Sequence, residues 1–252
     1  MPLGDGQKLA LRAQASNYYQ SFSVNIVEPW LGGTKPIQLS TSFAHTKQYY
    51  YDFTHRDVDR SRSFLITGGS VGIAKRLQWP DDHFVLSTAV SFQHYSLQNY
   101  NTGLFTFGDG YSNNLAFTFG ISRDNTGTNP RYPNTGSEFN ISAKVTPPWS
   151  KFSNKNFREL LKERNEITDL LQTNPDNTEE LANRRSDIDQ MRFDWLEYYK
   201  IKFRGTWYTG LTEKLVFRSR VEFGFLGAYN NSRGIPPFER FYLGGDGLAT
   251  YS

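Results

Sequence analysis

Apolar and polar residues alternate with a period of two along most of this chain. In the clearest run, residues 215–229, one face is mostly Leu, Val, Phe and Tyr, while the other carries Arg218, Arg220 and Glu222. Successive residues of a strand point to opposite faces, so this run predicts a strand with one apolar and one hydrated face. The same alternation recurs in segments 37–44, 84–93, 115–122, 138–145 and 198–207, and weaker strands are predicted at 8–14, 22–30 and 64–77.

The hydrated faces carry mainly small or polar residues, which suit the crowded lumen of a closed barrel. Aromatic residues make up 16% of the chain, yet the mean hydropathy is only −0.61. Many aromatic residues lie near predicted strand ends, including Tyr49-Tyr50-Tyr51, Trp30 and Trp79, as expected at a membrane interface. These features predict an all-β fold, an antiparallel transmembrane β-barrel. A soluble all-β sandwich is the alternative.

Short and long connections take turns along the chain. Short turns are predicted at 32–35, 80–82 and 212–214, and longer polar loops at 52–62, 99–112, 153–194 and from residue 230 onward. The turn at 125–136 is longer than the others on its side. Tight turns at one end and long loops at the other are typical of outer-membrane barrels.

One segment, residues 151–195, breaks the strand pattern with apolar residues at helical spacing. Asn174-Pro175 ends the first helix, and Asp176 or Asn177 caps the second. The segment predicts a helical hairpin with an apolar seam, inserted in a long loop. It is interpreted either as a docking surface for an extracellular partner or as an insertion that packs on itself. The seam residues are Phe157, Leu160, Leu161, Ile167, Leu170, Leu171, Leu181, Ile188 and Met191.

No motif in the sequence indicates catalysis. The chain has no cysteine, and its four histidines lie outside metal-binding patterns. The net charge of +3 is spread along the chain, which gives no argument for a nucleic-acid partner. We therefore predict a protein that is not an enzyme and that uses no metal or cofactor.

The predicted strand number is nine. Bacterial single-chain barrels have even strand numbers, and two unpaired edges in lipid are prohibitive. The start of the chain also carries no secretion signal, and no apolar run is long enough for a membrane helix. We therefore expect residues 1–252 to be an interior portion of one larger outer-membrane barrel domain.

The stretch PFERFYLGG near the end of the chain resembles the sixth outer loop of the BamA family, the central barrels of the outer-membrane β-barrel assembly machinery. Three further stretches are similar in order and spacing: SFSVNIVEPWLGGTKPIQLSTSF, SRDNTGTNPRYPNTGSEFNISAKVTPP and EYYKIKFRGTWY. The composition, rich in Tyr and Asn, is closer to the Bacteroidetes branch. The chain departs from the family pattern in lacking the arginine motif of the sixth loop and the periplasmic POTRA domains.

The resemblance implies that residues 8–229 are strands three to eleven of a sixteen-stranded barrel. Residues 151–195 would then lie in the fifth outer loop, and residues 230–252 would begin a sixth loop that folds back into the lumen. In that loop Gly244 and Gly245 would permit a tight return. Its aromatic residues Phe238, Phe241 and Tyr242 would pack against the wall residues Lys202, Arg218 and Arg220.

The function implied is the folding and insertion of β-barrel proteins into the outer membrane of a Gram-negative bacterium. The implied partners are outer-membrane lipid, unfolded outer-membrane protein clients and the accessory lipoproteins of the assembly complex. A passive porin or transporter barrel, and a two-partner secretion pore or TamA-type barrel, are the alternatives.

Overall fold

The computed structural model describes residues 6–33, 36–52, 54–100, 105–126, 133–173, 178–212, 215–236 and 239–241. These form one antiparallel sheet of nine strands in chain order, each paired with the next, with β1 and β9 at its edges. The strands are β1 (Lys8–Ala15), β2 (Tyr19–Glu28), β3 (Ile37–Asp52), β4 (Asp57–Arg76), β5 (Phe84–Gln98), β6 (Gly110–Asp124), β7 (Gly136–Val145), β8 (Tyr199–Thr212) and β9 (Leu215–Gly227). The predicted strand number and antiparallel order are confirmed.

The register joins the apolar rows of neighbouring strands into one continuous surface. Val90 of β5 lies opposite Val71 of β4 and Phe117 of β6, and Phe203 of β8 lies opposite Phe223 of β9. Side chains in these rows are among the most exposed large apolar groups of the protein. A connected apolar surface of this size is the face that a barrel presents to lipid.

The opposite face is lined by small polar side chains that bond across the strands. The Ser42 and Ser70 hydroxyls are 2.7 Å apart, and those of Ser21 and Thr46 are 3.0 Å apart. The Ser87 hydroxyl donates to the carbonyl of Gly120 at 3.3 Å. Short side chains leave room on the concave side of a curved sheet, and these contacts satisfy their hydrogen bonds there. This face is the lumen side of the sheet.

The predicted polar loop at 52–62 is wrong, because β3 runs to Asp52 and β4 begins at Asp57. Backbone pairing continues past a register shift between Tyr49 and Tyr50. The guanidinium of Arg62 lies 3.9 Å from the centre of the Tyr50 ring, which helps to hold the two extended strands together. Charged residues do not interrupt a strand that has left the hydrocarbon region.

The predicted helical hairpin is present as α1 (Phe157–Thr173) and α2 (Thr178–Phe193). Residues 174–177, on which the predicted stop and cap fall, lie outside the described residues. The seam is only partly apolar: Ile167 and Ile188 are buried, but Leu170 is 45% exposed, and Arg164 pairs with the buried Asp189 at 3.0 Å. None of the described helices combines the length and apolar composition needed to cross a bilayer.

We expect the two faces of β5 to respond oppositely to a new charge. Val90 is 44% exposed on the apolar face, so Val90→Arg places a guanidinium in hydrocarbon and should destabilise the full-length barrel by about 2–4 kcal/mol. Ser91→Arg, one residue along on the lumen face, is the matched control and should cost far less. Urea titration of the protein refolded in lipid vesicles measures both. Equal losses would contradict the assignment of faces.

Candidate functional site

The segment that follows β9 turns back over the lumen face of the sheet. We call residues 230–241 the lumen loop; its described parts are 230–236 and 239–241. Its first turn is closed by the Asn230 side chain, which accepts from the backbone N–H of Ser232 at 2.9 Å, and by a bond from the Arg233 N–H to the Asn230 carbonyl at 3.1 Å. Gly234 has a φ of 82°, a conformation in which other residues are strained.

The main anchor of the lumen loop on the wall is the carboxylate of Glu239. It lies 2.7 Å from the Lys144 Nζ of β7 and 3.0 Å from the Lys200 Nζ of β8, and the Tyr198 hydroxyl donates to it at 2.8 Å. Lys144 and Lys200 are directly opposite each other in the register of β7 and β8. Without an anion between them, two ammonium groups so placed would repel.

Glu239 is 9% exposed, and its ionisation depends on these partners. Burial on its own raises the pKa of Glu239. Hydrogen bonding and charge from Lys144, with hydrogen bonds from Tyr198 and Lys200, outweigh burial and hold that pKa below its usual value. The loop is therefore held to the wall by a charged carboxylate at neutral pH.

The anchor continues into a chain of hydrogen-bonded polar side chains that runs from strand to strand along the lumen face. The Asn114 amide of β6 donates to the Tyr198 hydroxyl at 3.3 Å and to the Gln93 amide oxygen of β5 at 3.4 Å. The Tyr95 hydroxyl donates to the same Gln93 oxygen at 3.0 Å. Polar groups removed from water in this way are costly to rearrange, so the anchor has a defined geometry.

An apolar cluster covers this polar chain near the end of the sheet that carries the helices. It draws residues from β4, β5, the β5–β6 connection, the end of α2 and the segment after α2. Its buried members are Phe64, Tyr95, Leu97, Phe105, Phe107, Phe193, Leu196 and Tyr198. This part of the lumen side is a packed core rather than an open aqueous surface.

Phe241 provides a second contact of the loop with the wall. Its ring centre lies 4.8 Å from the Lys200 Nζ and 5.9 Å from the Lys202 Nζ, distances suited to cation–π attraction. The ring also lies against Gly224 of β9, where an added Cβ would overlap it. Gly224 is thus a seat for the ring on the lumen face.

The structure brings together two of the residues singled out in the sequence, Phe241 and Lys202. Arg218 lies 5.8 Å from the Tyr208 ring centre, and Arg220 pairs with Glu222. Within the part of the chain that the structure describes, these two arginines engage the wall and not the loop. The other four loop candidates, Phe238, Tyr242, Gly244 and Gly245, lie outside the described residues.

Sequence reasoning missed Glu239, Lys144, Tyr198 and Lys200 as a site. The available signal was weak: Lys144 and Lys200 each fall on a predicted hydrated face. Only the register of β7 and β8 shows that they are opposite each other, and register depends on the geometry of the long connection 146–198.

A model of the Omp85 superfamily domain matches residues 2–249. The chain belongs to the Omp85 superfamily. No curated protein sequence matches it. Among solved structures, it is similar to BamA from Haemophilus ducreyi lacking POTRA domains 1–3, with a TM-score of 0.59 and 14% identity. The match covers 96% of this chain and 39% of that one, so the chain spans about two-fifths of the solved relative.

These comparisons confirm the predicted fold and location. The chain is a stretch of an outer-membrane β-barrel of the Omp85 superfamily, with a fold like that of the BamA barrel. The soluble sandwich is excluded. A Bacteroidetes origin stays a prediction.

Gly224→Ala should release the Phe241 ring, because the added methyl occupies its seat. We expect trypsin to cleave the full-length protein faster after Arg240, which is exposed beside Phe241. Gly210→Ala is the matched control, since its Cβ meets only ordinary contact distance, 3.4 Å from the Asn134 carbonyl. Equal cleavage of the two variants, with both barrels folded, would contradict the seat.

Glu239 gives the loop contact a defined pH dependence. Its folded pKa is lowered, so its contribution to docking is complete above the free value of about 4.3 and is lost as the pH falls through the lower folded value. Hydrogen exchange of residues 230–241, corrected for intrinsic rates, should show constant protection down to about pH 5 and a loss in more acidic solution. Glu239→Gln should be less protected at neutral pH and lack this step. Glu222→Gln, which changes a carboxylate paired with Arg204, is the control.

Proposed function

We propose that this chain forms the wall and the lumen loop of an assembly factor that folds β-barrel proteins and inserts them into the outer membrane. The observation that carries the proposal is the return of the loop into an Omp85 barrel, with Glu239 held between Lys144 and Lys200. A lumen loop anchored by a buried carboxylate is built to occupy the barrel interior. A barrel whose function is passive diffusion needs that interior open.

The route needs no nucleotide and no covalent chemistry. A strand of a client in hydrocarbon has no water to satisfy its N–H and C=O groups, so an exposed strand edge of the factor offers it the most favourable partners. Strands β2 to β8 are paired on both sides and cannot serve in this way. They would form the static wall, and pairing with a client would occur at a strand edge beyond it.

The partners of this proposal follow from the faces of the sheet. Outer-membrane lipid would cover the apolar face, and unfolded barrel clients would meet the strand edge. Accessory lipoproteins would assist from outside this portion of the protein. An extracellular partner at the helical hairpin stays a prediction.

The proposal is tested with the full-length protein reconstituted in lipid vesicles and offered a urea-unfolded barrel client. We expect it to increase the yield of client with heat-modifiable gel mobility over that of empty vesicles. Glu239→Gln should reduce that yield several-fold, because the loop no longer stays docked. Glu222→Gln should retain it. Folding of the variant barrels is checked by their own heat-modifiable mobility.

Two outcomes would replace the proposal. High ionic conductance in planar bilayers without any gain in client folding would identify a passive pore. Passage of the client into the vesicle interior in unfolded form would identify a secretion pore.

A further inference from the structure

The helical hairpin and the lumen loop hold each other through an arginine of the hairpin. The guanidinium of Arg192, in the last turn of α2, donates to the carbonyls of Ser232 and Arg233 at 3.1 and 2.9 Å. It is fixed by Asp189, one turn earlier, at 2.8 Å. Asp189 is almost completely buried and also binds Arg164 of α1 at 3.0 Å. Residues of both helices therefore position the Arg192 guanidinium that binds the loop.

An arginine of the loop makes the reciprocal contact with the hairpin side. Arg233 is 2% exposed, and its guanidinium donates to the Trp195 carbonyl and to the Asp194 carboxylate. It pairs with Glu197 at 3.6 Å and lies 4.6 Å from the ring centre of Phe157 in α1. We call Asp189, Arg192, Asp194, Glu197 and Arg233 the clamp.

The side of the clamp that belongs to the hairpin is fixed to the sheet. The backbone of residues 194–196 pairs with Asn113 of β6 through two bonds of 2.8 Å. The Ser112 hydroxyl donates to the Phe193 carbonyl at 2.6 Å. The Glu197 carboxylate accepts from the Ser150 N–H and hydroxyl at 2.6 and 2.9 Å. The hairpin therefore extends the wall rather than standing free in solvent.

The charges of the clamp make its two sides interdependent. Arg192 and Arg233 are both buried, and taking the carboxylate partner away from a buried guanidinium is strongly destabilising. Moving the first turn of the loop would take the carbonyl acceptors away from Arg192. It would also separate Arg233 from the carboxylates of Asp194 and Glu197. Opening the contact therefore breaks several buried polar interactions at once.

We infer that the helical insertion is a clamp that holds the base of the lumen loop, with Arg192 and Arg233 as its positioning residues. The loop stays in the lumen through two fixations, the clamp at its base and Glu239 at the wall. Release of the loop at one fixation weakens its attachment at the other. A change in the position of the loop would therefore be transmitted to the hairpin and, through it, to the outer surface. The contacts of the clamp lie within one chain and do not depend on the proposed function. Only the role of the clamp in client insertion rests on that function.

The first test removes each arginine from the full-length protein. In Arg192→Met, Asp189 keeps its pair with Arg164. In Arg233→Met, Asp194 keeps Lys155 at 2.7 Å, and Glu197 keeps its two hydrogen bonds from Ser150. We expect hydrogen exchange of residues 230–236 to accelerate at least about tenfold in both variants. Arg184→Met is the matched control: it removes an exposed pair with Glu163 at 2.7 Å within the same hairpin and should leave the loop unchanged.

The second test reads the coupling in the opposite direction. Glu239→Gln and Gly224→Ala loosen the far end of the loop without touching the hairpin. If the clamp couples the two, both variants accelerate hydrogen exchange in residues 188–196. Unchanged exchange at 230–236 in the arginine variants, or unchanged exchange at 188–196 in the wall variants, overturns the inference. Should an arginine variant lose heat-modifiable mobility, Asp189→Asn replaces it. No client is used, so a failure of client insertion is separate from a failure of the clamp.

Discussion

The constraint on which this structure depends is that every backbone N–H and C=O of a strand in hydrocarbon must find a partner within the protein. It requires nine strands to pair edge to edge in unbroken antiparallel register over the apolar band. The period of two then assigns each side chain to lipid or to the lumen. Arg218, Arg220 and Glu222 can lie in a membrane strand because the register sends all three to the hydrated side.

The lumen side is less uniform than the apolar side. Over β2 to β6 it carries serine and threonine hydroxyls that bond across the sheet. Near the helical insertion it becomes a dry core, where Tyr198 and Asn114 are almost fully buried. A loop that enters such a region has to bring polar groups that match those already there, because an unmatched buried group is expensive. Glu239 meets this condition, since Lys144 and Lys200 are already opposite each other.

The strand pattern could be predicted from the sequence because alternation is local; it is clear in six of the nine strands and weaker in the other three. Strand ends were less predictable. The polar run 52–62 was interpreted as a loop, yet β4 begins at Asp57, since polarity marks the end of the hydrocarbon band and not the end of pairing. Long-range contacts were beyond prediction. The seam of the hairpin joins Arg164 to the buried Asp189, and the helical positions of these two residues gave no sign of the pair.

The two fixed points of the lumen loop carry opposite charges, and this determines how the loop lies. Arg233, at its base, faces the carboxylates of Asp194 and Glu197 beside the hairpin. Glu239, six positions on, faces the ammonium groups of Lys144 and Lys200 on the wall. A loop laid in the opposite direction, or shifted so that its base met the wall, would place like charges together where water cannot screen them. The apolar and aromatic contacts of the loop, such as Phe241 on Gly224, fix distance but not direction. The paired charges fix direction, and they do so only because the segment that follows the hairpin supplies the anionic half and the strands supply the cationic half.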